Sequence, residues 1–156
     1  MVMTTTEYGR RTQACREKLY RLAFCYVKNQ QDALDIVSES VYRGLRQLRQ
    51  LQDADRFELW MQRIVVNAAL DHLRKHRCEP LPEDLPAEET GASAEETMDL
   101  YHALDRLPPE DRSYIILRFF EERSFREMSC ILDVPESTVK SRIYRILEQL
   151  KHCLSM

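Results

Sequence analysis

An all-α fold of two small helical domains, a helical bundle and a helix-turn-helix joined by an acidic flexible linker, is predicted by three features of this sequence. Only three glycines occur in 156 residues. Apolar residues recur at three- and four-residue steps almost throughout, which is the period of one buried helical face. No run alternates apolar and polar residues convincingly enough for a half-buried strand. A length of 156 residues with 44% hydrophobic content suits one domain or two very small ones.

The first helix is predicted from about Thr12 to Val27, with Leu19, Leu22, Ala23 and Tyr26 inward and Asn29 as its breaker. The second runs from about Gln30 to Leu48 on Ala33, Leu34, Ile36, Val37, Val41, Leu45 and Leu48, followed by a polar loop from Arg49 to Arg56. The third, from about Phe57 to Arg77, buries Phe57, Trp60, Ile64, Val65, Ala68 and Leu73 and ends on a basic cluster. Together these make a first domain over residues 8–77. A second domain over residues 97–154 contains helices from Thr97 to Arg106 and from Pro109 to Glu121, then a pair of helices at its end.

Between the domains, residues 78–96 form the linker. Pro80, Pro82, Pro86 and Gly91 interrupt any helical period, and self-repelling carboxylates disfavour collapse. Glu79 to Asp99 carries eight acidic residues and no Lys or Arg, so removing that stretch turns the formal charge of −3 into +5. The mildly basic remainder is compatible with a polyanionic partner, which the overall charge disguises.

The final helix pair carries the strongest functional signal. Ser124 to Asp133 places Phe125, Met128, Ile131 and Leu132 on one stripe, with Ser124 able to cap the N-terminus. Asp133 tolerates a left-handed or irregular turn, and Pro135 cannot extend the first helix but suits the start of the next. In VPESTVKSRIYRIL the residues Val139, Ile143, Ile146, Leu147 and Leu150 form an inward stripe, while Thr138, Lys140, Ser141, Tyr144 and Arg145 project elsewhere. Hydroxyl and basic donors on the outward face suit phosphates and base edges. A short helix, a four-residue turn and a basic second helix describe a helix-turn-helix, which reads duplex DNA through its second helix.

Two faces of the first domain stand out. Asp32, Asp35 and Glu39 fall at steps of three and four beside Ile36 on the second helix; they form either a solvated acidic face or a docking face for a basic partner. On the third helix Arg63, Asn67, Asp71, Arg74 and Lys75 share a polar face suited to a nucleic-acid backbone and an unstacked base. Trp60 could stack on a base, but its place in the apolar stripe favours core packing.

Other chemistries find little support. The five cysteines are odd in number, lack CxxC spacing and read as reduced thiols. His72, His76 and Cys78 lack a fourth ligand at a recognisable spacing, so no metal or other cofactor and no enzymatic activity are expected. The absence of any long apolar run or leader-like segment gives the expectation of a soluble, cytoplasmic protein.

In this order, LYRLAFCYVKNQQDALDIVSESVYRGLRQL, FELWMQRIVVNAALDHLRKHR and ALDRLPPEDRSYIILRFFEERSFREMSCILDVPESTVKSRIYRILEQL resemble regions 2 and 4 of bacterial extracytoplasmic-function sigma factors of the sigma-70 family. The resemblance implies a transcription initiation subunit that binds core RNA polymerase, with the Asp32, Asp35, Ile36 and Glu39 face docking on a basic coiled coil. It implies that Arg63, Asn67, Arg74 and Lys75 approach the melted minus-10 promoter element, Asp71 orienting them. It further implies that the helix-turn-helix reads duplex minus-35 DNA, with Ser137 and Thr138 near phosphate, Lys140, Ser141, Tyr144 and Arg145 toward base edges and backbone, and Arg142 on phosphate. A partner anti-sigma factor, often membrane-anchored, belongs to the same expectation, with no small-molecule substrate. Ser129 where alanine is commoner, Ser137 where many relatives have glycine, and acidic Glu121 and Glu122 depart from the pattern without removing a defining element. The alternative is a stand-alone helix-turn-helix regulator, which would ordinarily dimerise.

Overall fold

A computed structural model describes residues 3–76 and 103–154. Among these residues there is no strand, and two compact units divide between Pro80 and Leu81. The acidic linker, the helix start at Thr97, Arg77, Cys78 and the side chain of Cys153 lie outside the described residues.

Unit one packs three helices pairwise, α1 (Thr5–Val27), α2 (Gln30–Arg46) and α3 (Phe57–Lys75). Helix α1 begins seven residues before the expected Thr12. Thr4 caps it by accepting from the Glu7 N–H at 3.2 Å, the S/T-x-x-E pattern that starts a helix. Its first turns are held by Tyr8, which is 3% exposed and donates its hydroxyl to the Val41 carbonyl at 2.6 Å. A run of threonines followed by Gly9 concealed this start.

The α1–α2 junction is shorter than a loop. Lys28 takes the left-handed conformation at φ 52° and its N–H closes on the Phe24 carbonyl, while Asn29 caps α2 by accepting from the Asp32 N–H at 3.0 Å. So connected, α2 folds back along α1, burying Leu19, Leu22, Ala23, Tyr26, Ala33, Ile36 and Val37 with Met61, Ile64, Val65 and Ala68 of α3. Short 3₁₀ turns, Leu48–Gln50 and Ala54–Arg56, occupy the expected loop before α3. Leu34 and Leu45, expected inside, are 37% and 44% exposed.

The described part of unit two opens with helical residues 103–106. Arg112 binds that end to the next helix by donating to the Leu107 and Asp105 carbonyls, each at 3.2 Å. Helix α4 (Pro109–Ile115), with proline at its first position, widens into a π turn over Ile116–Phe120 instead of continuing as regular α-helix. There the Glu121 N–H reaches the Ile116 carbonyl at 3.0 Å, and Glu122 turns left-handed at φ 53°. Ile115, Ile116 and Leu117 are core residues, whereas Phe119 is 52% exposed. Helices α5 (Phe125–Leu132) and α6 (Glu136–Leu154) complete the unit around Met128, Ile131, Val139, Ile143 and Ile146.

Candidate nucleic-acid and docking surfaces

The α5–turn–α6 pair is built by local hydrogen bonding. Ser124 Oγ accepts from the Glu127 N–H at 3.1 Å while Glu127 Oε1 accepts from the Ser124 N–H at 3.0 Å, a reciprocal capping box. That backbone hydrogen bond from Ser124, with Arg123 nearby at 2.9 Å, holds the Glu127 carboxyl below the usual carboxylate range. Asp133 ends α5 in the left-handed region at φ 56°, one of the two turns expected there. Pro135 then accepts from the Thr138 and Val139 N–H groups at 3.0 and 3.1 Å to open α6.

Ser129 has a role its size alone did not reveal: its hydroxyl donates to the Val134 carbonyl at 2.6 Å and so pins the turn to α5. Ser129→Ala is expected to lower stability by about 1 kcal/mol, the net worth of one intramolecular hydrogen bond. Thermal unfolding followed by circular dichroism checks this, and an unchanged midpoint would refute it.

Along α6, Val139, Ile143, Ile146 and Leu150 are buried, while Ser137, Lys140, Ser141, Arg142, Tyr144 and Arg145 are exposed and Thr138 is half-buried. Leu147, expected inside, is 37% exposed. Ser137, Ser141 and Tyr144, at steps of four and three, follow one outward line, Tyr144 being 63% exposed. The cations flank that line and lean on neighbouring elements. The Lys140 ammonium lies 5.6 Å from the Phe125 ring, whose centroid is also 4.4 Å from the Arg118 guanidinium. Arg142 lies 5.8 Å from the Tyr114 ring, and Arg145 lies 3.9 Å from the Asp111 carboxylate. Such contacts limit side-chain freedom. Glu148 continues the outward line four residues beyond Tyr144 and is exposed. Its charge disfavours phosphate at that point of the line. The i+4 spacing made Glu148 legible, but the sequence reading overlooked it.

On α3, Arg63, Asn67, Arg74 and Lys75 are exposed, and Asp71 is half-buried among them. Asp71 accepts from Arg43 of α2 at 2.9 Å and from Arg74 at 3.3 Å. Trp60 is half-buried beside Phe57, with ring centroids 6.2 Å apart. His72 Nε2 lies 3.6 Å from Asp32 Oδ2 and its ring stacks 4.3 Å from that of His76. Among the described residues no group of three or more His, Cys, Asp or Glu side chains could hold a metal ion, and no helix is long and apolar enough to cross a membrane.

The acidic face of α2 requires a correction. Asp35 and Glu39 are exposed and Asp32 is half-buried, but Ile36 is only 1% exposed. At 100° per residue Ile36 aligns with Ala33, Val37, Ser40 and Gly44, all buried, so its side chain serves the core and offers no docking area. The apolar surface beside Asp35 and Glu39 comes from Leu34, Leu45 and Tyr42, the last 56% exposed with Arg46 over its ring at 5.7 Å. Sequence reasoning assigned both leucines to the interior because the helix has more apolar residues than its inner face accommodates.

Two helical units, one presenting a capped helix-turn-helix with a hydroxyl- and cation-bearing second helix and the other an exposed acidic face on α2, define the class of a helix-turn-helix protein. The comparisons narrow this class. Residues 12–78 match Sigma-70 region 2 and residues 97–150 match Sigma-70, region 4. The chain is 38% identical over 139 residues to the RNA polymerase sigma factor SigV of Bacillus subtilis, covering 87% of this chain and 84% of that protein. It is 31% identical over 140 residues to the ECF RNA polymerase sigma factor SigM of Mycobacterium tuberculosis, covering 88% and 71% respectively. In fold it resembles the sigma factor RpoE from Bartonella quintana, with a TM-score of 0.77 at 18% identity, covering 97% of this chain and 99% of that one. The chain belongs to the extracytoplasmic-function RNA polymerase sigma factors of the sigma-70 family. Family membership disfavours the alternative of a stand-alone helix-turn-helix regulator.

Proposed function

We propose that this sigma factor binds core RNA polymerase through Asp35 and Glu39 with Leu34, Tyr42 and Leu45, Asp32 adding charge at the edge. Arg63, Asn67, Arg74 and Lys75 hold the melted minus-10 strand, where unstacking is offset by contacts available only to a single strand. Helix α6 reads the minus-35 duplex, Ser141, Tyr144, Lys140 and Arg145 meeting base edges and backbone, and Ser137, Thr138 and Arg142 meeting phosphate. The outward Ser137–Ser141–Tyr144 line with its flanking cations carries this reading. The protein performs no covalent chemistry itself and works in the cytoplasm beside polymerase. An anti-sigma factor is its proposed regulator; the RpoE neighbour was solved in complex with the anti-sigma factor NepR.

Run-off transcription with purified core polymerase on genomic fragments tests the proposal and reports the promoter. On that promoter, Lys140→Ala and Arg145→Ala are each expected to cost about 1 to 3 kcal/mol of discrimination at one base position if the contact is bidentate. Arg142→Ala should weaken all sequences alike. No promoter-directed transcript from the unaltered protein would refute the function, and uniform losses from all three variants would refute the division of roles.

A further inference from the structure

Helix α4 meets α6 at two points one helical turn apart. The Arg142 guanidinium stands 5.8 Å from the Tyr114 ring, and Arg145 Nη2 lies 3.9 Å from Asp111 Oδ1. Asp111 and Tyr114 on one helix, and Arg142 and Arg145 on the other, are each three positions apart, so a single packing register makes both contacts. Asp111 is the enclosed partner, with 13% of its side chain exposed against 59% for Arg145. The acid is therefore fixed by its helix, while the guanidinium end can move. At 3.9 Å the two form an ion pair and not a hydrogen bond, so the pair directs the guanidinium without consuming its N–H donors. At 100° per residue Arg145 stands between the Ser137–Ser141–Tyr144 line and the flank of α6 that faces α4.

We infer that Asp111 is a positioning residue for minus-35 recognition, holding one edge of the Arg145 guanidinium so that its remaining N–H groups face the base edges. This rests on the base-reading role proposed above for Arg145. A guanidinium is planar and carries five donors in a fixed fork. A carboxylate at one Nη therefore sets the plane of the whole group, and two donors stay available for a base with two acceptors, as guanine presents in the major groove. Without that anchor Arg145 is a long, exposed side chain that surrenders its rotamer freedom when it binds. Preorganisation of this kind strengthens the one contact that matches the held geometry, so it shows as base preference. The opposite arrangement, in which Asp111 withholds Arg145 from DNA, has the opposite sign: removing the acid would tighten binding to every sequence.

The test uses holoenzyme assembled from the full chain and purified core polymerase, on the promoter that run-off transcription reports and on duplexes altered at single minus-35 base pairs. Competition among these duplexes gives the preference at each position. Arg145→Ala locates the position that Arg145 reads, by flattening the preference there. Asp111→Asn keeps the shape and removes the charge. It is expected to lower the preference at that same position by about two- to fivefold, the scale of one exposed ion pair, weakening every duplex that keeps the base pair and sparing those that lack it. Asp111→Glu should retain most of the preference, and in the Arg145→Ala background Asp111→Asn should have no effect. Tighter binding to all sequences, equal weakening of all, or no change overturns the positioning role and leaves that of Arg145 standing. If Arg145→Ala flattens no position, or the unaltered protein directs no promoter transcript, base reading by Arg145 fails and the inference with it. Unchanged circular dichroism across the variants verifies their fold.

Discussion

A protein carrying Asp35→Lys together with Glu39→Lys is expected to lose core polymerase affinity by about 100-fold or more, because like charges set against one another across an interface cost several kcal/mol. Both carboxylates are exposed on α2, beside the exposed side chains of Leu34, Tyr42 and Leu45. The reversal therefore changes the field of the proposed docking surface without entering the core. Competition against the unaltered protein for purified core polymerase measures the loss, and thermal unfolding should show little change. Retained affinity would move the polymerase contact to another face. Ile36→Ala separates docking from packing at the neighbouring position. Since Ile36 is 1% exposed, that change should act on stability, by about 2 to 5 kcal/mol, and leave the surface charge intact.

The second large effect is expected at Gly44, within α2. A Cβ added there would meet the Tyr8 hydroxyl well inside contact distance, with Met61 Sδ at 3.1 Å and Tyr8 Cζ at 3.2 Å. The phenol cannot easily retreat, since it is buried and bonded to the Val41 carbonyl at 2.6 Å. Helix propensity alone favours Gly44→Ala by about 1 kcal/mol. Overpacking costs about 1 to 3 kcal/mol, and displacing the phenol forfeits roughly 1 kcal/mol of hydrogen bonding. A net loss of about 1 to 3 kcal/mol follows, larger for Gly44→Val. The same substitution at Gly9, where nothing lies within 4 Å of an added Cβ, should instead stabilise by about 0.5 to 1 kcal/mol. Trp60 is the single tryptophan and lies in unit one, so its emission during denaturant unfolding reports this unit. Effects of one sign at both glycines would refute the account.

These two positions show where sequence reasoning ends. Period and capping chemistry revealed α2, but a period defines a face only relative to what packs against it. Ile36 looked central to an acidic surface because Asp32, Asp35 and Glu39 surround it in sequence. Packing against α1 and α3 rotates it inward with Ala33, Val37, Ser40 and Gly44. The helix-turn-helix was more legible because its determinants are local. Ser124 with Glu127, Asp133 in a left-handed turn, and Pro135 before α6 each act within a few residues. The early start of α1 was missed although Thr4 and Glu7 mark it locally, because the threonine run and Gly9 concealed the cap and the Tyr8 contact that holds the first turns reaches a carbonyl 33 residues away.

Alone, the amino-acid sequence determined the helical class, the two-domain order, the capped DNA-reading pair and the residue types on each candidate face, since these depend on short-range periodicity and turn chemistry. Only the tertiary structure decided which α2 side chains are available to a partner, why Gly44 has no room for a side chain, and that Asp111 of α4 lies against Arg145 of α6. Those depend on contacts between helices distant in sequence, whose relative rotation no single helix encodes.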